Sequence, residues 1–297
     1  MVERALNFAS TSHLKIAYLE GGIASGPPCL LVHGWPDDAL TWDRVAMQLE
    51  AQGVRTIRPY LRGFGPTQFH DSEVTRSGQL TALALDMIEF IEALDLRDFV
   101  LVGHDWGARI SYMIAARLGN RIKGMLCLSV GYGTNDPAQS LSSEQARMYW
   151  YHWYFATERG RLALRADPQA FTRQLWRTWS PSLVLDEQEW HATARSFDNP
   201  DWVDITIDSY RHRWGLSEGN PRLAADEAFF ASCPLITVPT VVMHGSEDGA
   251  TLPVMSEHKE RFFTGGYTHR TLPGVGHFMQ REKADHVAAA VVSLLKL

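Results

Sequence analysis

The stretch VLVGHDWGARI, residues 100–110, runs three apolar residues into Gly103 and then sets His104, Asp105, Trp106 and Gly107 ahead of a helix-forming segment. A glycine two places before and two places after a central side chain is the frame of a nucleophile elbow, the tight strand-to-helix turn that raises one residue above the edge of a sheet. Serine usually holds the tip. Here it is aspartate, and an aspartate just before a helix is ordinarily no more than an N-cap. Whether Asp105 is a cap or a reactant depends on what else the chain brings to the same edge.

Upstream, CLLVHGWP (29–36) is a continuous apolar run closed by Gly34 and Pro36, the pattern of a strand buried on both faces of a parallel sheet. SHLKIAYLE (12–20) alternates like an earlier strand. DALTWDRVAMQLEAQG (38–53) has helical spacing, VRTIRPYLRGFG (54–65) reads as strand and loop, and GQLTALALDMIEFIEALDL (78–96) as an amphipathic helix. The elbow follows as strand 98–105 and helix 106–119, with a further strand in IKGMLCLSV (122–130). Strand alternating with helix predicts an α/β fold with a mostly parallel, doubly wound sheet. Sites in such sheets lie at the carboxyl ends of the strands, where His33-Gly34-Trp35-Pro36, Arg62-Gly63 and Asp105 all fall.

The alternation stops after residue 133. Residues 134–233 read as helices, opening with a capping box at Ser142–Gln145 and then the aromatic run MYWYHWYF (148–155). Strand and helix resume with VPTVVMHGSED (238–248), THRTLPGVGHF (268–278) and KADHVAAAVVSLLKL (283–297). The expected organisation is therefore a core over 1–133 and 234–297, interrupted by a helical cap over 134–233.

The 297 residues, 45% hydrophobic and 21% charged, are ample for one large buried core. A formal charge of −6 without a basic stripe argues against nucleic acid. No segment has the length and apolarity to span a membrane, and MVERALNFAS lacks a signal-like run. Three scattered cysteines, Cys29, Cys127 and Cys233, read as inert thiols and fit a reducing cytoplasm. Seven of the ten tryptophans fall between residues 150 and 214; most serve helix packing, but such a segment also suits the wall of an apolar pocket.

Asp105 gains weight from two later residues. Asp248 and His277 each follow a predicted strand, so all three would share one sheet edge, in the order nucleophile, acid, histidine. With the motifs HGWP, RGFG, GHDWG, HGSEDG and GVGHF, the whole chain resembles the α/β-hydrolase superfamily, and within it the aspartate-nucleophile branch of epoxide hydrolases, haloalkane dehalogenases and fluoroacetate-type dehalogenases. One departure is Tyr60, where many relatives carry Asp before the Arg-Gly turn; that place is structural. Aspartate suits displacement at saturated carbon. A serine would form an ether that water does not readily cleave, whereas a carboxylate forms an ester whose carbonyl water can attack. The resemblance implies Asp105 as nucleophile, His277 as base and Asp248 as its orienting acid, with Glu247 a neighbouring competitor. It also implies an oxyanion hole from the backbone N–H groups of Trp35 and Trp106, and a cis Trp35–Pro36 bond. His33 and His104 read as structural histidines bonded to loop backbone.

Epoxide-opening relatives aim two lid tyrosines at the ring oxygen, and Tyr151 in YHWYF and Tyr210 in SYRHRWG match those positions. The dehalogenase alternative would use His152 and Trp153 with Tyr210 as a halide cradle, and Arg109 as one arm of a carboxylate clamp whose other arm is replaced by Trp106. Trp106, His152, Trp153 and Arg109 are therefore the expected substrate-pocket residues. The favoured expectation is an epoxide hydrolase that forms a vicinal diol from a small, apolar epoxide without metal or cofactor, since no His/Cys/Asp cluster has metal-ligand spacing. A non-catalytic binding protein on the same fold is the rival from another class. A serine esterase fails for want of serine at the elbow.

Overall fold

The computed structural model describes residues 5–134 and 140–297. Its sheet contains β1 (Leu6–Ser10), β2 (Leu14–Gly21), β3 (Pro28–Val32), β4 (Arg55–Pro59), β5 (Gln68–Phe69), β6 (Phe99–His104), β7 (Ile122–Leu128), β8 (Thr240–Gly245) and β9 (Tyr267–Leu272). The order is β1-β2-β4-β3-β6-β7-β8-β9, with β5 paired to β2. Strands β4 to β9 along that path are parallel, while β1 and β5 on β2, and β2 on β4, are antiparallel.

The continuous apolar runs do what such runs predict. In β3, Cys29 and Leu31 face one core layer while Leu30 and Val32 face the other. All six residues of β6 are buried, since it lies mid-sheet. At the edge, β9 alternates exposed threonine and arginine with partly covered residues, which discourages further pairing. Helices α1 (Asp43–Glu50), α2 (Leu80–Ala93) and α3 (Trp106–Leu118) join these strands. Strand order reverses between β3 and β6, so the chain leaves their carboxyl ends in opposite directions and opens a crevice. The Trp35 loop and Asp105 stand on its two sides.

Between β7 and β8 lie the helices α4 (Ser143–Met148), α5 (Trp150–Phe155), α6 (Glu158–Ala166), α7 (Pro168–Trp179), α8 (Glu187–Ala194), α9 (Trp202–Arg213) and α10 (Ala224–Ala231), with short 3₁₀ turns and an isolated bridge from Ile236 to Phe263. Residues 135–139 of the expected cap lie outside the described residues. The chain closes with α11 (Met279–Glu282) and α12 (Ala284–Leu295), which packs beside α1. No helix among the described residues is long and apolar enough to cross a membrane.

The capping box forms by half. Ser142 Oγ accepts from Gln145 N at 3.1 Å, but the Gln145 side chain does not reach back. Fully buried, it donates to Ala250 O at 2.9 Å and accepts from Leu252 N at 2.8 Å. A residue placed to cap α4 instead ties it to the loop after β8.

Candidate active site

The elbow is built by close approach. A Cβ on Gly103 would lie 2.3 Å from Gly107 O, and one on Gly107 would lie 2.1 Å from Val32 O. Only glycine at both positions lets α3 start directly above β3 and β6. The turn forces Asp105 to φ 52°, a left-handed conformation that costs a non-glycine residue about 1–3 kcal/mol. Asp105 occupies the N-cap position of α3, yet its side chain makes no capping bond. Its Oδ1 instead accepts from Trp35 N at 3.0 Å. The ordinary explanation of an aspartate before a helix therefore fails here. The Trp35–Pro36 bond that shapes this loop is cis.

His277 and Asp248 meet Asp105 from the loops that follow β9 and β8, beyond β7 in the sheet. His277 Nδ1 donates to Asp248, 3.0 Å from Oδ1 and 2.9 Å from Oδ2. His277 Nε2, buried and without a hydrogen-bond partner among the described residues, lies 3.9 Å from Asp105 Oδ2. Asp248 is buried whereas Glu247 is exposed, so the structure brings Asp248 to the histidine. Asp248 Oδ1 also accepts from Ala250 N and Thr251 N at 2.8 and 2.9 Å. His244 Nε2 lies 3.3 Å from Oδ2. Burial alone would raise the Asp248 carboxyl, but His277 and His244 outweigh it and hold it well below the ordinary range. Burial alone would lower His277, but the Asp248 carboxylate and its hydrogen bond, with Asp105, leave it raised.

His33 and His104 are bound into the scaffold. His33 Nδ1 donates to Gly34 O at 2.9 Å and Nε2 accepts from Leu61 N at 3.1 Å. His104 Nε2 donates to His277 O at 3.0 Å. Arg62 is likewise engaged elsewhere, forming a two-pronged ion pair with Asp86 of α2 at 2.5 and 2.7 Å.

Above the triad stands a wall of rings. Tyr151 on α5 and Tyr210 on α9 meet edge to face, 5.3 Å between centroids, and Trp35 stacks on Tyr151 at 5.7 Å. Trp106 packs against Tyr210 at 5.5 Å. Both tyrosines are buried. Burial first, then Tyr210 and Asp105 for Tyr151, and Asp105 for Tyr210, push their hydroxyls well above the usual phenol range. His152 is buried against Tyr210 at 4.6 Å. Arg109, one turn after Asp105, donates from Nη1 to Thr134 Oγ1 at 3.0 Å. Of the two expected oxyanion donors, the N–H of Trp35 reaches an Asp105 carboxylate oxygen.

Trp153 is a correction. It was expected in the pocket, but its ring is 40% exposed and its Nε1 donates to Ala146 O at 2.8 Å. Two residues along a helix is a rotation of about 200°, so Tyr151 facing inward turns Trp153 outward. The halide cradle of the dehalogenase alternative thus lacks a member.

Trp179, missed in the sequence, joins the insertion to the triad. As the last residue of α7 its carbonyl has no helical partner. It accepts from Gly249 N at 3.0 Å and from His277 N at 2.9 Å, the neighbour of the acid and the histidine itself. A Cβ on Gly249 would lie 2.1 Å from Thr178 O, and one on Gly276 2.4 Å from Ser180 Cα. The glycines in HGSEDG and GVGHF were the available signal. A groove of about 700 Å³ follows the seam between core and insertion past Tyr60 and Asn199, but no triad residue lines it. No group of three His, Cys, Asp or Glu among the described residues is arranged to hold a metal ion.

The α/β-hydrolase-fold family matches residues 27–284. The chain belongs to that family. This α/β hydrolase is 36% identical to a Klebsiella pneumoniae crystal structure described as a candidate epoxide hydrolase, with 98% of this chain and 97% of that one covered and a TM-score of 0.91. It is 27% identical to an epoxide hydrolase of Caballeronia sordidicola, over 97% of this chain and 92% of the relative. Epoxide hydrolase A of Mycobacterium tuberculosis is 23% identical, over 96% and 95%. With these relatives it is an epoxide-hydrolase-like hydrolase.

Proposed function

We propose that this hydrolase converts a small-molecule epoxide to a vicinal diol through a covalent ester on Asp105. One Asp105 oxygen attacks a ring carbon; the C–O bond breaks and its electron pair goes to the ring oxygen. Tyr151 and Tyr210, kept protonated by their raised pKa values, donate hydrogen bonds and a proton to that oxygen. Water then attacks the Asp105 carbonyl carbon and passes a proton to His277 Nε2, which Asp248 orients and stabilises when charged. The negative charge on the carbonyl oxygen meets the Trp35 N–H. Collapse expels the second diol oxygen, which takes the proton back from His277 Nε2, and leaves one water oxygen in the Asp105 carboxyl; the remaining water proton returns to the tyrosine, so that carboxylate, neutral histidine and phenol are all regenerated. In this proposal residues 1–133 and 234–297 form the catalytic core and 134–233 a cap that carries the two tyrosines.

One observation supports this most: a carboxylate at the elbow tip that does not cap its helix, with a backbone donor on one oxygen and the histidine 3.9 Å from the other. A single turnover of styrene oxide in heavy-oxygen water, followed by peptide mass analysis, tests it. The expected result is label in the Asp105 peptide together with the diol. Unlabelled Asp105, or halide release from a haloalkane with no diol from any epoxide, overturns it.

A further inference from the structure

The mechanism uses the hydroxyl of Tyr210 and leaves the far side of its ring unexplained. Arg213 lies three residues further along α9, on the same face, with its guanidinium carbon 5.0 Å from the centre of the Tyr210 ring. Its Nε and Nη2 are sealed from solvent and have no hydrogen-bond partner among the described residues. His152 packs on the same ring at 4.6 Å. Its Nδ1 accepts from Trp214 Nε1 at 3.1 Å. An indole can only donate, so that nitrogen carries the lone pair. Burial, then Arg213 and Arg109, hold His152 well below the ordinary histidine value, so the ring is neutral and its single proton sits on Nε2. That Nε2 is also buried without a partner among the described residues.

Two side chains on one ring thus direct at least three N–H donors, two of them from a cation, at no acceptor. Leaving such groups unpaired is costly for the protein alone. The cost is removed by an anion, and a carboxylate matches the planar fork of Nε and Nη2. An acid approaching Asp105 would otherwise be repelled by it. Arg213 reverses that field, and Arg109, one turn beyond Asp105, adds a second positive charge.

We propose that Arg213 and His152 form a carboxylate subsite, so that the epoxide this enzyme opens carries an acid group on or near the oxirane. The proposal rests on the epoxide reading for the identity of the substrate, but the subsite can be measured without turnover. By calorimetry, 3-phenylpropanoate should bind roughly ten- to hundredfold tighter than 3-phenylpropanamide, the range expected for hydrogen bonds to a charged group. Arg213→Met should bring that ratio to about one, and Arg213→Lys should restore part of it. The kcat/KM ratio of trans-3-phenyloxirane-2-carboxylate to its carboxamide should fall in parallel.

Equal binding of acid and amide by the unaltered enzyme overturns the subsite. So does a preference that survives in folded Arg213→Met. If that variant does not fold, the same ratio in Arg213→Gln decides. If the acid binds in an Arg213-dependent way but neither epoxide is opened, the subsite stands and the epoxide reading falls. If both are opened without preference, the epoxide reading stands and the subsite falls.

Discussion

The core and the helical insertion contribute to the same site in opposite ways. Asp248, His277 and the Trp35 loop are held by main-chain and side-chain hydrogen bonds of 2.8–3.0 Å, and the flanking histidines His33 and His104 are bonded into loops. Tyr151, Tyr210, His152 and Arg213 are held chiefly by ring packing, and several of their polar atoms have no partner among the described residues. In the proposed mechanism the core half carries every group that ester hydrolysis needs. The insertion half is complete only with substrate present.

The strongest test of this division removes the proposed nucleophile. Asp105→Asn should lower turnover by at least about 10⁴-fold, as loss of a nucleophile does elsewhere, and His277→Gln should trap the ester so that mass analysis finds Asp105 alkylated after one turnover. Normal steady-state rates in either variant would break the comparison at its root. A smaller loss is expected from the insertion: Tyr151→Phe or Tyr210→Phe should cost about 10²–10⁴ in kcat with epoxides, without trapping an ester. Accumulated ester in a tyrosine variant would show that the insertion also serves the second step.

The pH profile sharpens the contrast more gently. In the proposed mechanism neutral His277 is the base of ester hydrolysis, and its pKa is raised, so kcat with a neutral epoxide should fall about tenfold per unit as pH drops below a midpoint above the ordinary histidine value of about 6.5. The tyrosines are displaced upward, so no alkaline limb should appear below about pH 10. A bell that closes near pH 8 would contradict the buried tyrosines. The smallest effect is at the tie between the halves. Gln145→Ala leaves two main-chain groups near Asp248 without their partner, and should reduce stability by about 1–3 kcal/mol in denaturant titration, with turnover reduced only a few-fold.

The parts that could be read from the chain were those encoded locally. Apolar runs ending in glycine marked β3, β6, β7 and β8, and the elbow, acid and histidine sit immediately after strands, where the topology forces them together. Strands β1 and β5 escaped because one is half exposed and the other has two residues. In the insertion, Trp153 was misplaced because MYWYHWYF is aromatic on every face, so no hydrophobic stripe reveals its helical phase. Only the break at Tyr149, where α4 ends and α5 begins, sets that phase. Trp179 acts through a main-chain carbonyl whose partners, Gly249 and His277, are distant in sequence, and Arg213, three residues from Tyr210, carries nothing in SYRHRWG that sets it apart from Arg211.

The carbonyl of Trp179 has a consequence for how motion in this protein can be observed. The amides of Gly249 and His277 belong to the core loops, yet their protection from exchange depends on α7. In native-state hydrogen exchange they should share the opening free energy of that helix instead of that of the central strands. Two protons, one beside Asp248 and one on His277 itself, thus serve as built-in reporters of α7, and their rates would tell how often the insertion parts from the core.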